Sequence, residues 1–247
     1  IEGIGPLDTH HKDGWYFTTM GKLSSGVRIN SAADDPAGLV ISERLRSRIA
    51  ELNGEIQNTT NNVFKYDYAS AALGGLRSQL NSLRSLALAA ANAGGNTETM
   101  QQTFEQSAQE TVATYNQAVT DAEYNGARLF DGSAGALGTL PLVENIDLSS
   151  PEKAQDAIAT IDEALQQVNS LDVQIGSTVK DRFQSELASL ETERQNLLAA
   201  DSVIRDTDYA VGISRLVRSR IAVQVSTALL AQGNLNGQLV LGLLDSK

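Results

Sequence analysis

From Leu45 onward, apolar or small residues return every three or four positions: Leu45, Ile49, Leu52, Ile56, Thr59, Val63, Tyr66, Ser70, Leu73, Leu76, Leu80, Leu83, Ala87 and Ala90. A helix turns once in 3.6 residues, so this rhythm collects them on one stripe, the seam of a coiled coil. A helix from Leu45 to Ala91 would run roughly 70 Å at 1.5 Å per residue. A three-three interval at Ser70–Leu73–Leu76 breaks the alternation, and Gly74–Gly75 marks a bend or a close backbone contact.

The stretch "AGGNTE", Ala93 to Glu98, stops this helix and offers Thr97 as the N-cap of the next. Met100, Phe104, Ala108, Thr111, Tyr115, Ala118 and Ala122 then repeat the rhythm, so a second helix folds back on the first. Between Tyr124 and Leu148, the turn pairs Asn125–Gly126 and Asp131–Gly132 sit beside short apolar pieces and predict one or two β-hairpins. Ser150 followed by Pro151 starts another helix. Its seam runs through Ala154, Ile158, Ile161, Leu165, Val168, Leu171, Ile175, Val179, Phe183, Leu187, Leu190, Arg194, Leu197, Asp201 and Ile204 with hardly an interruption. The predicted fold class is mainly α: an elongated antiparallel coiled-coil-like bundle with a small β-hairpin region.

The last segment, Tyr209 to Leu244, differs in kind. Ile213, Val217, Ile221, Val225, Ala228, Leu235, Leu239 and Leu243 form a stripe, and Val211, Leu216, Val223, Leu229, Leu230, Val240, Leu241 and Leu244 widen it almost all round. A helix this apolar needs neighbours to cover it.

Charge and chemistry narrow the function. A net charge of −11 over 247 residues disfavours nucleic acid and anionic membranes as partners. The chain has no cysteine and no apolar run of eighteen residues. Residues 1 to 20 lack the basic segment and apolar core of a secretory signal, so export is expected by another route. His10 and His11 beside Asp8 and Asp13 lack the spacing of a metal site and read as a solvated loop. Asp34–Asp35 and Glu191/Glu193 are paired acids with no sign of a pocket, and no nucleophile elbow, zinc helix or phosphate loop occurs. No catalytic residue, metal or cofactor is expected. Arg44, Arg46 and Arg48, like Arg215, Arg218 and Arg220, read as inter-chain salt bridges or solvated faces.

Four stretches remain: "LSSGVRINSAADDPAGLVIS" from Leu23, "EYNGARLFDGS" from Glu123, "IGSTVKDRF" from Ile175, and "IRDTDYA" before a terminal helix ending "LLAQGNLNGQLVLGLL". In this order and spacing they resemble bacterial flagellin over about Leu23 to Leu244. The resemblance implies a subunit that polymerises with itself into the extracellular flagellar filament, exported unfolded through a dedicated channel. It implies an atypical N-terminal part of an inner domain at 1–22 and a spoke at 23–38, with Leu23, Arg28, Asn30, Asp34 and Asp35 as its residues. It further implies an outer bundle at 39–208 with the hairpin at 124–148, and an inner C-terminal helix at 209–247. Implied partners are an export chaperone on that helix, and filament cap and junction proteins. Gly3, Gly5, Pro6 and Gly14 depart from the family's N-terminal helix, and only Gly135 to Ser149 stands where larger members insert outer domains. The residues contacted by the animal flagellin receptor match Ser82, Leu86 and Ala89, where only the Leu is retained. A hook–filament junction protein is the near rival, and a coiled-coil adaptor a more distant one.

Overall fold

The computed structural model describes residues 18–133 and 137–245, without the side chains of 230 and 234–245. The helix α1 is described over 18–25. It is followed by α2 (Pro36–Ala90), α3 (Glu98–Asp121), strands β1 (Glu123–Tyr124) and β2 (Ala127–Arg128), α4 (Pro151–Ser177), a π-helical stretch (Thr178–Phe183), α5 (Gln184–Arg205) and α6 (Tyr209–Asp245). Two compact units result: Asn53–Thr192, and Ile1–Leu52 with Glu193–Lys247. The boundaries expected at 39 and 208 both fall inside the second of these.

The unit Asn53–Thr192 is a helical bundle. Its core takes Ala69, Leu73, Leu76, Leu80, Leu83, Ala87 and Ala90 from α2, Ala108, Val112, Tyr115 and Val119 from α3, and Ala154, Ala157, Ile161, Ala164, Val168, Leu171 and Ile175 from α4. The alanines let the helix axes approach closely, and the leucines fill the space between. Ion pairs and hydrogen bonds fix the antiparallel register. Arg84 grips Asp162 with Nε and Nη2 at 2.6 and 3.3 Å, Ser70 donates to Asp172 at 2.7 Å, and Thr59 donates to Glu186 at 3.5 Å. The caps stand where the sequence places them: the Thr97 hydroxyl accepts from Met100 N, and the Ser150 hydroxyl from Lys153 N.

Two expectations need correction, and the hairpin region is smaller than its span in the sequence. Helix α2 passes through Gly74–Gly75 without a break, and nothing lies within 4 Å of a Cβ built at either. The pair makes no close contact and does not stop the helix, and flanking Leu73 and Leu76 are buried in the core.

The second long helix is interrupted after all. Its seam keeps a three-four rhythm to Ile175, and the next buried residue is Phe183. The intervals Ile175–Val179–Phe183–Leu187 are all four, one residue more than a seam tolerates. A π turn takes up the extra residue, shown by Gln184 N–H donating to Val179 O. Phe183 thereby reaches Tyr66 edge-on, ring centroids 5.1 Å apart.

The hairpin region holds one small two-stranded sheet among the described residues, as expected. One two-residue hairpin forms, Glu123 opposite Arg128, around Asn125 and Gly126 at φ 51° and 79°. That is the pair of positive values a type I′ turn requires. Beyond it, residues 137–149 lie as a strap that buries Leu140, Val143, Ile146 and Leu148, with one isolated bridge, Asp131 to Thr139. Leu137 N and Leu140 N donate to Leu129 O and Phe130 O, and further along side chains of α3 bond the strap's backbone. Gln101 donates to Leu148 O, Gln109 to Ile146 O at 2.7 Å, and Asn116 exchanges two hydrogen bonds with Val143 at 2.9 and 2.8 Å. Glu105 accepts from Leu148 N. The strap's end is tied by Asp147, which accepts from Lys153 Nζ at 2.7 Å and Ser149 N at 2.9 Å.

Leu83 is fully buried while Leu86 is half-exposed, so Leu83→Ala is expected to cost about 2–5 kcal/mol and Leu86→Ala clearly less. Equal losses in urea melts would refute this seam. The Lys153 ammonium, helped by Ser149, holds the Asp147 carboxyl down at about 2. A carboxylate depressed on folding stabilises above its unfolded value near 3.8 and loses that contribution as pH falls towards 2. Asp147→Asn is expected to flatten the melting profile between about pH 4 and pH 2, and an unchanged profile would show that the tie contributes nothing.

Candidate functional site

The unit that joins Ile1–Leu52 to Glu193–Lys247 carries both the loop and the terminal helix singled out in the sequence. Loop residues 26–35 are held on one side by the chain between α5 and α6. Val27 bridges Asp206, Arg28 N donates to Arg205 O at 2.6 Å, and Thr207 N to Gly26 O at 2.9 Å. The Arg28 guanidinium adds a bond to Ile204 O. Ile29 is the loop's one buried apolar anchor.

The polar residues of the loop organise its own backbone. Asp34 accepts from Asn30 N and Ser31 N at 3.1 Å each and pairs with Lys22 at 2.7 Å. The Lys22 ammonium first, then those two amides, hold its carboxyl at about 2, so it stays ionised at any ordinary pH. Asn30 exchanges hydrogen bonds with the Ser25 hydroxyl, and Asp35 accepts from Gly38 N at 2.8 Å, capping α2 just ahead of Pro36. The paired acids are therefore structural. Leu23 packs elsewhere: its Cδ2 lies 2.6 Å from where a Cβ on Gly212 would stand, so a larger residue there would make this leucine shift.

A polar cluster that sequence reasoning missed ties the start of α2 to the end of α5. Buried Ser42 donates to buried Asp201, which also pairs with Arg46 at 3.1 Å. Arg205 pairs with Glu43 at 3.0 Å, and Arg48 with Glu193 at 3.1 Å. This corrects the reading of Arg46 and Arg48 as inter-chain or solvated. Antiparallel α5 brings the carboxylates to them within one chain. An aspartate on the seam of a long helix was the available signal, since a buried carboxylate requires such partners.

On α6, Gly212 is buried and Leu216, Ser219, Val223 and Ser226 are half-buried. Their four-three-four-three spacing is a seam in which small residues hide the apolar pattern. Ile213, Val217, Ile221 and Val225 lie on another face, each about half-exposed. Ala228 is exposed as well, while the side chains of Leu235, Leu239 and Leu243 lie outside the described residues. Arg215, Arg218 and Arg220 are exposed.

Ser82, Leu86 and Ala89 share the outer side of α2 in the bundle. Ser82 and Ala89 are exposed, and Leu86 packs partly onto the core. His10 and His11 lie outside the described residues. Among the described residues no cluster of His, Asp or Glu could hold a metal ion, and no helix is long and apolar enough to cross a membrane.

Residues 16–135 match the family model for the bacterial flagellin N-terminal helical region, and residues 158–244 that for the C-terminal helical region. The flagellar filament 33 kDa core protein of Treponema phagedenis is 30% identical over 261 residues, covering 91% of each chain. The flagellin of Halalkalibacterium halodurans is 33% identical over 248 residues, covering 91% of this chain and 90% of that one. The flagellin of Bacillus subtilis is 29% identical over 282 residues, covering 91% of each. The crystal structure of Bacillus cereus flagellin aligns with 65% of this chain and 94% of that one, at a TM-score of 0.43 and 20% identity. Both terminal helical regions are matched in order, and relatives at 30–33% identity run along nine-tenths of the chain, so the chain belongs to the bacterial flagellin family.

Proposed function

We infer that this chain is the structural subunit of a bacterial flagellar filament and works by polymerising with copies of itself, without a reaction to catalyse. The observation that carries the reading is α6: apolar side chains half-exposed along Ile213, Val217, Ile221 and Val225, on a helix whose other face is already packed. Water penalises such surface by about 25 cal/mol per Å² until something covers it. Neighbouring subunits supply that cover, so assembly completes what the single chain leaves unfinished. Ala228, Leu235, Leu239 and Leu243 extend the same interface.

Loop 23–38 serves as the spoke. It turns the chain before α2, and Asn30, Asp34 and Asp35 fix its shape so that the parts it joins keep one geometry. The chain works outside the cell, passing unfolded through the flagellar secretion channel. An export chaperone covers α6 beforehand, and cap and junction proteins bound the filament. The junction-protein alternative is less favoured, because the relatives matched along nine-tenths of the chain carry filament and flagellin names.

Electron microscopy of the purified chain left to polymerise is expected to show long filaments. Truncation after Asp208 is expected to leave a soluble, cooperatively melting bundle that forms none at any concentration; a truncated chain that polymerises as readily as the full one would remove α6 from the interface. At the receptor-like position, Ser82 and Ala89 replace the Arg and Gln that the resemblance calls for, losing hydrogen bonds each worth roughly 1 kcal/mol or more. Weak agonism is expected in a receptor-reporter assay, and full potency would contradict it.

A further inference from the structure

We propose that Arg218 and Arg220 fix which surface meets the apolar face of α6, each binding a carboxylate on a second copy of this chain. The proposal rests on the filament reading above and names the chemistry of its partner surface. Successive helix residues are turned by roughly 100°, so Ile213, Val217, Ile221 and Val225 together span an arc of about 120°. On the same geometry Arg218 lies about 20° beyond one edge of that arc and Arg220 about 20° beyond the other. Arg215 falls on the back of the helix, near the edge of the packed seam. The apolar face is thus bracketed by two guanidinium groups, both exposed and in no ion pair among the described residues.

No Asp or Glu occurs between Tyr209 and Leu244, and the single acid of α6, Asp245, stands 25 residues beyond Arg220 at the helix end. The chain's acid excess, which gives −11 overall, lies entirely outside this helix. A second α6, with three arginines and the one terminal aspartate, would bring net positive charge to the contact. The face that covers the stripe is therefore an acid-bearing one. The chain has such acids to give: Asp156 and Glu163 on α4 and Glu191 on α5 are exposed and outside every ion pair among the described residues. Apolar cover would give the contact its strength, and the flanking pairs its partner choice and register. Guanidinium suits this task because its planar fork meets a carboxylate with two hydrogen bonds, even as the interface closes and water leaves.

The test measures the critical concentration for filament formation by sedimentation, using the full chain, Arg218→Gln/Arg220→Gln, and Arg215→Gln as control, with circular dichroism confirming equal helicity. At low ionic strength the double variant is expected to need about tenfold more protein, the sum of two partly desolvated pairs. The Arg215→Gln chain is expected to stay within about twofold of the unmodified chain. Near 1 M salt the gap is expected to shrink, because screening acts within about 3 Å there. If the unmodified chain forms filaments and the double variant forms them at the same concentration, the arginine proposal fails while the filament reading stands. If the unmodified chain forms none at any concentration, the filament reading fails and takes the proposal with it. Binding to vesicles of anionic lipid that is lost in the double variant, with filament formation unchanged, would assign the arginines to a lipid surface and overturn the proposal.

Discussion

Two long antiparallel helices stay in contact only while their stripes keep the same phase, and this constraint organises the bundle. A straight helix repeats every 3.6 residues while a seam repeats every 3.5, so a single surplus residue swings everything after it off the partner. The segment Thr178–Phe183 absorbs that surplus. Without it Glu186 would turn away from α2 and lose the hydrogen bond from Thr59. On the facing helix, Tyr66 is half-buried and Ala69 buried three residues later, so the partner also slips its phase there. The Tyr66–Phe183 ring contact sits where the two slips meet.

Much of this was legible in the sequence because helical periodicity states which residues share a face. The seams of α2 and α4, the caps at Thr97 and Ser150, and the Asn125–Gly126 turn all follow from local rules. The π turn was also written there, as the three successive intervals of four from Ile175 to Leu187, but the count matters only once the partner helix is in place. The seam of α6 was harder to see. Gly212, Ser219 and Ser226 contribute closeness instead of apolar area, so the larger Ile213, Val217, Ile221 and Val225 dominated the pattern while pointing elsewhere. Periodicity reports apolar surface, not whether the chain itself covers it.

Long-range polar contacts were the least legible. Ser42 and Asp201 lie 159 residues apart, and no local propensity joins them. The side-chain ladder on α3 left a fainter trace, with Gln101, Glu105, Gln109 and Asn116 at intervals of four, four and seven. On an isolated helix such residues read as a solvated face. Their role emerges only when residues 143–148 are laid across them.

That ladder bears on a hazard peculiar to a polymerising protein. A subunit that must join its neighbours by one contact cannot present a second, less selective adhesive. An extended segment with unpaired amides and carbonyls is such an adhesive, since it can recruit a strand from any chain it meets. Over 143–148, both backbone groups of Val143 and of Leu148 and the carbonyl of Ile146 are occupied by Gln101, Glu105, Gln109 and Asn116 of the same chain. Asn145, at φ 59°, also breaks the extended run that an added strand would need, so the strap is a poor template and growth is left to the helices.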